Sequence, residues 1–153
     1  MQTNLALASK SFWVVVADEA AAVIYSQDRR SGPLTPLLTL ENSDARKHTG
    51  EILADKGGRS FDSHGQGRHT LAKEKAGPKR HIAMVFAKDI AELIGRALHD
   101  GSCRGYALIA APRFLGLLRD SLAVATSVEP YLEIDKDVVA KDAKFVEELL
   151  AAG

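Results

Sequence analysis

Cysteine is almost missing from this chain: Cys103 stands alone, so no disulfide can close within it, and a reducing compartment fits. Net charge is missing too. Twenty Lys and Arg residues balance 20 Asp and Glu, which removes any whole-protein attraction to nucleic acid or to a membrane surface and leaves only local arguments. No apolar run approaches the ~18 residues of a membrane-spanning helix, so membrane insertion is not expected. The N-terminus lacks a basic segment followed by a long apolar stretch and a small-residue cleavage site. No secretory signal is therefore expected, and the cytoplasm is the expected location. What is present is an ordinary globular composition, 46% apolar and 26% charged over 153 residues. That length predicts one domain, residues 1–153, able to bury roughly 70% of its unfolded surface.

The neutral average hides one basic region. Residues 57–69 read Gly-Gly-Arg-Ser-Phe-Asp-Ser-His-Gly-Gln-Gly-Arg-His, with Phe61 the only apolar side chain and neither helical nor strand periodicity. From Asp55 to Arg80 there are seven Lys and Arg against three Asp and Glu. The expectation is a mobile, basic, glycine-rich loop over about 55–77, suited to a phosphate-rich or otherwise anionic partner. By composition alone, a solvated surface loop fits equally well.

The rest of the chain alternates legibly. Residues 12–18, 20–26 and 34–40 predict three strands joined by short turns, with Pro36 best placed on an edge. Ser43 can cap a short helix over 44–54. Gly77-Pro78 then opens a long helix over 79–99, with Ile82, Val85, Phe86, Ile90, Leu93, Ile94 and Leu98 as its inward stripe. The unbroken apolar run 106–110 predicts a strand covered on both faces. A helix over 112–122, a short strand over 131–134 and an amphipathic helix over 141–151 follow, the last with Phe145, Val146, Leu149 and Leu150 inward. Setting aside the short 44–54 helix, the order β-β-β-α-β-α-β-α gives an α/β domain with a five-stranded mixed sheet and helices on both faces.

Several segments carry a family resemblance in their order along the chain: 13–18 (Trp-Val-Val-Val-Ala-Asp), 58–63 (Gly-Arg-Ser-Phe-Asp-Ser), 67–69 (Gly-Arg-His), 111–116 (Ala-Pro-Arg-Phe-Leu-Gly) and 133–137 (Glu-Ile-Asp-Lys-Asp). Through them the sequence resembles the bacterial host attachment protein family over nearly its whole length. The element order is similar to the ribonuclease-H-like architecture, in the variant used by the middle domain of archaeal and eukaryotic class-one release factors. In that domain a loop before the long helix carries Gly-Gly-Gln into the peptidyl-transferase centre. Here His64-Gly65-Gln66-Gly67 occupies the corresponding place, with His64 where the first glycine would stand. The resemblance implies an RNA- or ribosome-directed module, with ribosome or tRNA as partner and at most a peptidyl-tRNA ester hydrolysis through Gln66. The alternative is a non-enzymatic protein-interaction module in attachment or adhesion, with the same loop as its contact.

Other chemistries fare less well. A two-metal nuclease needs converging carboxylates. Asp18 ends the first strand, but the fourth ends in Ala110-Ala111-Pro112, and Asp89 and Glu92 fall on the solvent side of the long helix. Ser60, Asp62, Ser63, His64 and His69 supply the residue types of a Ser-His-Asp triad, yet six glycines between residues 50 and 77 deny it a rigid frame. Asp62, His64 and His69 match no recognised metal-ligand spacing, so neither metal nor cofactor is expected. Cys103 reads as an inert small residue in a turn rather than a nucleophile. The residues expected to hold RNA phosphate or bases are therefore Arg59, Phe61, His64, Gly65, Gly67, Arg68 and His69, joined by Arg113 in the first turn of a helix that follows a buried strand. For Arg113 the plainer expectation is a surface pair with Asp135 or Asp137, and for Phe61 it is an anchor that holds the loop to the domain.

Overall fold

The computed structural model describes residues 11–45 and the backbone of 65–152, with side chains described again from residue 77. Five strands, β1 (Ser11–Ala17), β2 (Ala21–Gln27), β3 (Thr35–Glu41), β4 (Cys103–Ala110) and β5 (Leu132–Ile134), form one sheet in the order β3-β2-β1-β4-β5. β1 pairs antiparallel with β2 and parallel with β4, β2 pairs antiparallel with β3, and β4 pairs parallel with β5. β2 alone runs against the other four. The mixed sheet is as the sequence predicts. β4 is interior and buried on both faces, although the central position belongs to β1. Pro36 does lie on an edge strand, opposite Tyr25 and beside a register shift in β2.

Alternation along β1 and β4 divides the core in two. Trp13, Val15 and Ala17, with Tyr106, Leu108 and Ala110, face a layer formed by α1 (Gly65–Asp100) and α2 (Pro112–Ala125). Val14, Val16, Ala107 and Ile109 face the opposite side, where Val146 of α3 (Ala143–Ala152) covers them together with Leu34 and Val138. Helices therefore lie on both faces. Each fully buried Val, Leu or Ile side chain here contributes about 1.5–3 kcal/mol relative to exposure. Asp142 caps α3 by accepting the Phe145 N–H at 3.0 Å, and Glu147 accepts the Leu34 N–H at 2.9 Å, tying this helix to the entry of β3.

Three expectations need correction. α1 begins at Gly65 rather than residue 79, so residues 65–77 of the expected loop have helical backbone and Pro78 lies inside the helix. Between Arg68 and Ala76 most residues are good helix formers (Arg, Leu, Ala, Lys, Glu), and their summed preference outweighs the flanking glycines. Residues 46–64, which include most of the expected 44–54 helix and the start of the expected loop, lie outside the described residues. The inward stripe of α1 holds at Phe86, Ile90 and Ile94, with Leu93 and Leu98 packed against the core, but it loses Val85 and widens onto alanines. Ala83, Phe86, Ala87, Ile90, Ala91, Ile94 and Ala97 are buried, whereas Val85 is exposed. Phe145 is likewise exposed, with the Lys141 ammonium 5.4 Å from its ring centre.

α1 ends at Gly101, whose φ of +88° reverses the chain, and Asp100 accepts both the N–H and the hydroxyl of Ser102. β4 starts directly afterwards, so α1 runs back along it. At 36 residues α1 is about 54 Å long. The eight residues of β4 span only about 26 Å. Ala83 is the first described buried residue of α1, and N-terminal to it the helix backbone extends toward the end of the sheet where β1 and β4 finish. Among the described residues, no helix is long and apolar enough to cross a membrane.

Candidate functional site

At the end where β1 and β4 finish, Asp18 closes the β1–β2 turn. Its Oδ1 accepts the N–H groups of Ala20 and Ala21, both at 2.8 Å. The next strand end offers only Ala110 and Ala111, whose N–H donates to the Ala17 carbonyl at 3.3 Å. Among the described residues no group of three or more His, Cys, Asp or Glu side chains stands close enough to hold a metal ion. Asp18 thus serves the turn.

Ala111 has extended backbone and no side-chain cap bond, and Pro112 occupies the first turn of α2, as its fixed φ favours. Phe114, Leu115, Leu118 and Leu122 face the core, which turns Arg113 outward. Arg113 is exposed and forms no ion pair among the described residues; Asp135 and Asp137 do not meet it. The pair that does form belongs to Arg119, whose Nη2 donates to Glu133 at 2.6 Å and whose Nε donates to the same oxygen at 3.1 Å. This hydrogen bond raises the Arg119 pKa further. Of the other expected site residues, Gly65, Gln66, Gly67, Arg68 and His69 lie on the opening turns of α1, while Arg59, Phe61 and His64 fall outside the described residues.

Cys103 is buried at the start of β4, in a strand rather than the expected turn, and its thiol donates to the Gly105 carbonyl at 3.2 Å. Burial pushes its pKa up to about 11, so almost no thiolate exists near neutrality and it is no nucleophile.

Two features escaped the sequence reading. The first is a cleft of about 680 Å³ between the end of α2, the β4–β5 edge and residues 126–131. Tyr106 projects toward it, donating its hydroxyl to the Val128 carbonyl at 2.7 Å, and burial pushes that phenol up to about 12. The second lies at the opposite end of the sheet, where β1, β4 and β5 begin. The Arg30 guanidinium sits 4.4 Å from the Tyr131 ring centre and 5.3 Å from that of Phe12, and Arg104 lies 5.0 Å from the same Phe12 ring. Phe12 and Tyr131 meet edge to face at 5.8 Å. Residues 12, 30, 104 and 131 come from four separate segments, so no local pattern could have grouped them.

Comparison with curated proteins gives no match, and comparison with solved structures gives none either. A protein family does match, over residues 13–150, which takes in all five strands but for the first two residues of β1. The chain belongs to the host attachment family, described as "protein required for attachment to host cells".

Proposed function

We propose that this host attachment family protein is an RNA-directed module, with ribosome or tRNA as its partner, that binds phosphate at the end of the domain where β1 and β4 finish. The observation that carries the reading is Arg113, exposed in the first turn of α2 and without an ion-pair partner among the described residues. The basic opening of α1 runs toward the same end, within a stretch holding seven Lys and Arg against three Asp and Glu between residues 55 and 80. The ribonuclease-H-like, release-factor-like reading of the fold draws support from the strand order and from β2 alone running opposite.

Binding is favoured over bond cleavage. Close approach to a peptidyl ester demands an open, glycine-flanked backbone, whereas Gln66 lies in helical backbone and His64 replaces the first glycine. Arginine–phosphate pairing asks only for reach and charge. The alternative, a protein-interaction module, is favoured by Val124, which is 90% exposed on α2.

The test is tRNA and ribosome binding across a salt series for the full chain, for Arg59→Ala/Arg68→Ala and for Arg113→Ala. Each lost phosphate contact should weaken association at low salt and flatten the logarithmic salt slope by roughly 0.7–0.9. Gln66→Ala should bind as the parent does. If Gln66→Ala keeps binding but stops peptide release from stalled complexes, the protein is a hydrolase. If the arginine changes leave RNA association untouched, the protein-interaction reading takes over.

A further inference from the structure

The arginine–aromatic cluster lies across the sheet from the site just proposed. Phe12 opens β1 and pairs with Gln27, so the β2–β3 turn bearing Arg30 arrives beside it. Gly105 in β4 stands opposite Phe12; a Cβ there would meet the ring at 3.3 Å, so glycine is what lets the ring lie flat against the strand. Tyr131 precedes β5 and is held twice: its N–H donates to the Tyr106 carbonyl at 2.9 Å, and its hydroxyl lies 3.5 Å from Gln27 Oε1. Gln27 is itself buried and anchored, donating Nε2 to the Gly32 carbonyl at 2.7 Å across the turn that carries Arg30. The rings and the turn are thus fixed from below.

Charge is what this arrangement leaves open. Arg30 and Arg104 are both exposed, both lie within 5.3 Å of one ring centre, and neither forms an ion pair among the described residues. Asp28 is on the same turn without pairing to either, and Glu147 is engaged with the Leu34 N–H. Two like charges gathered without a counter-charge repel each other, and ring contacts offset that only in part. An anion reaching both would relieve it. A guanidinium already stacked on an aromatic keeps its outer plane for a base and its edge N–H groups for phosphate. Half-buried rings beside unpaired arginines are the combination that holds single strands, through stacking and backbone charge together.

We infer that Phe12, Arg30, Arg104 and Tyr131 form a binding platform for single-stranded RNA, separate from the Arg113 end of the domain. The probe is a fluorescent 15-nucleotide oligouridylate, titrated against the full chain and four variants: Arg30→Ala/Arg104→Ala, Arg30→Lys/Arg104→Lys, Phe12→Leu and Arg59→Ala/Arg68→Ala. Thermal unfolding of each variant verifies folding, and the arginines, being exposed, can be changed without touching the core. The alanine pair should bind about tenfold more weakly or worse, with a salt slope shallower by roughly 1.4. The lysine pair should restore the slope but not the affinity, because lysine keeps the charge and loses the stacking. Parental binding by the Arg30/Arg104 alanine pair overturns the inference, even if the Arg59/Arg68 pair loses binding and so upholds the Arg113-end reading. The reverse pattern upholds the platform and removes the other site. No binding of the oligomer by the parent at low salt, or capture of a phosphopeptide instead, also overturns it.

Discussion

Gly116 and Gly95 both sit within helices, yet the structure assigns them opposite responses to the same kind of change. In mid-helix, glycine is about 1 kcal/mol worse than alanine, because its backbone loses more freedom on folding. At Gly116 a Cβ would meet nothing within 4 Å, and its φ is not in the left-handed range. Gly116→Ala should therefore recover most of that difference, about 0.5–1 kcal/mol. For a domain of this length that raises Tm by about 1–4 °C. At Gly95 a Cβ would stand 3.0 Å from the Ala125 carbonyl oxygen and 3.4 Å from the Ala125 Cβ, where α1 crosses the end of α2. Valine places two further methyl groups in that contact, so Gly95→Val should lose about 1–3 kcal/mol to overpacking. Urea denaturation followed by far-UV circular dichroism, with the slope compared to confirm two-state behaviour, reads both changes. A fall in stability for Gly116→Ala, or equal responses at the two sites, would refute this account of the α1–α2 contact. Gly116 also lies one turn after Arg113, on α2's same side. A stable Gly116→Ala variant that loses RNA binding would mean the glycine makes room for a partner.

Two further outcomes follow from the hydrogen bonds and burial. Cys103 should resist a thiol reagent at pH 8 in the folded protein and react promptly in denaturant, since burial holds its pKa near 11; rapid labelling of the native chain would contradict that placement. Asp18→Ala should lower stability by about 1–3 kcal/mol by removing the carboxylate that accepts two turn N–H groups, and an unchanged midpoint in urea would show that water replaces it without loss.

The sheet was readable because its strands carry their burial in composition: Val14, Val15 and Val16, and the run through Leu108 and Ile109, can be satisfied only by cover on both faces. The helix stripe was legible in its large residues, Phe86, Ile90 and Ile94, but not at its edges: Val85 fits the spacing yet is exposed, while Ala83, Ala87 and Ala91, too small to mark a periodicity, join the core. The start of α1 was hidden because glycines and Pro78 signal breaks locally, while the good formers between them act only in sum. Of the expected site, Arg113 was placed correctly in the first turn of a helix, but its freedom from Asp135 and Asp137 depends on side-chain reach that no spacing encodes. The Phe12–Arg30–Arg104–Tyr131 cluster was beyond sequence reading altogether, because strand order alone brings its four segments together.

That strand order also sets a timetable for assembly. On one side β1 meets β2 after a turn of a few residues, but on the other Val14 must find Ala107, about 90 positions along the chain. Closing the short turn costs about 1 kcal/mol of chain entropy by length scaling, and the long closure costs about 4. The hairpins β1–β2 and β2–β3 can therefore form while the far edge of β1, its most apolar strand, still waits for β4. During synthesis that edge emerges about 90 residues before its partner, and in the interval an apolar strand presents unpaired N–H and C=O groups. Slow elongation or truncation before residue 103 should expose the nascent chain to aggregation at β1.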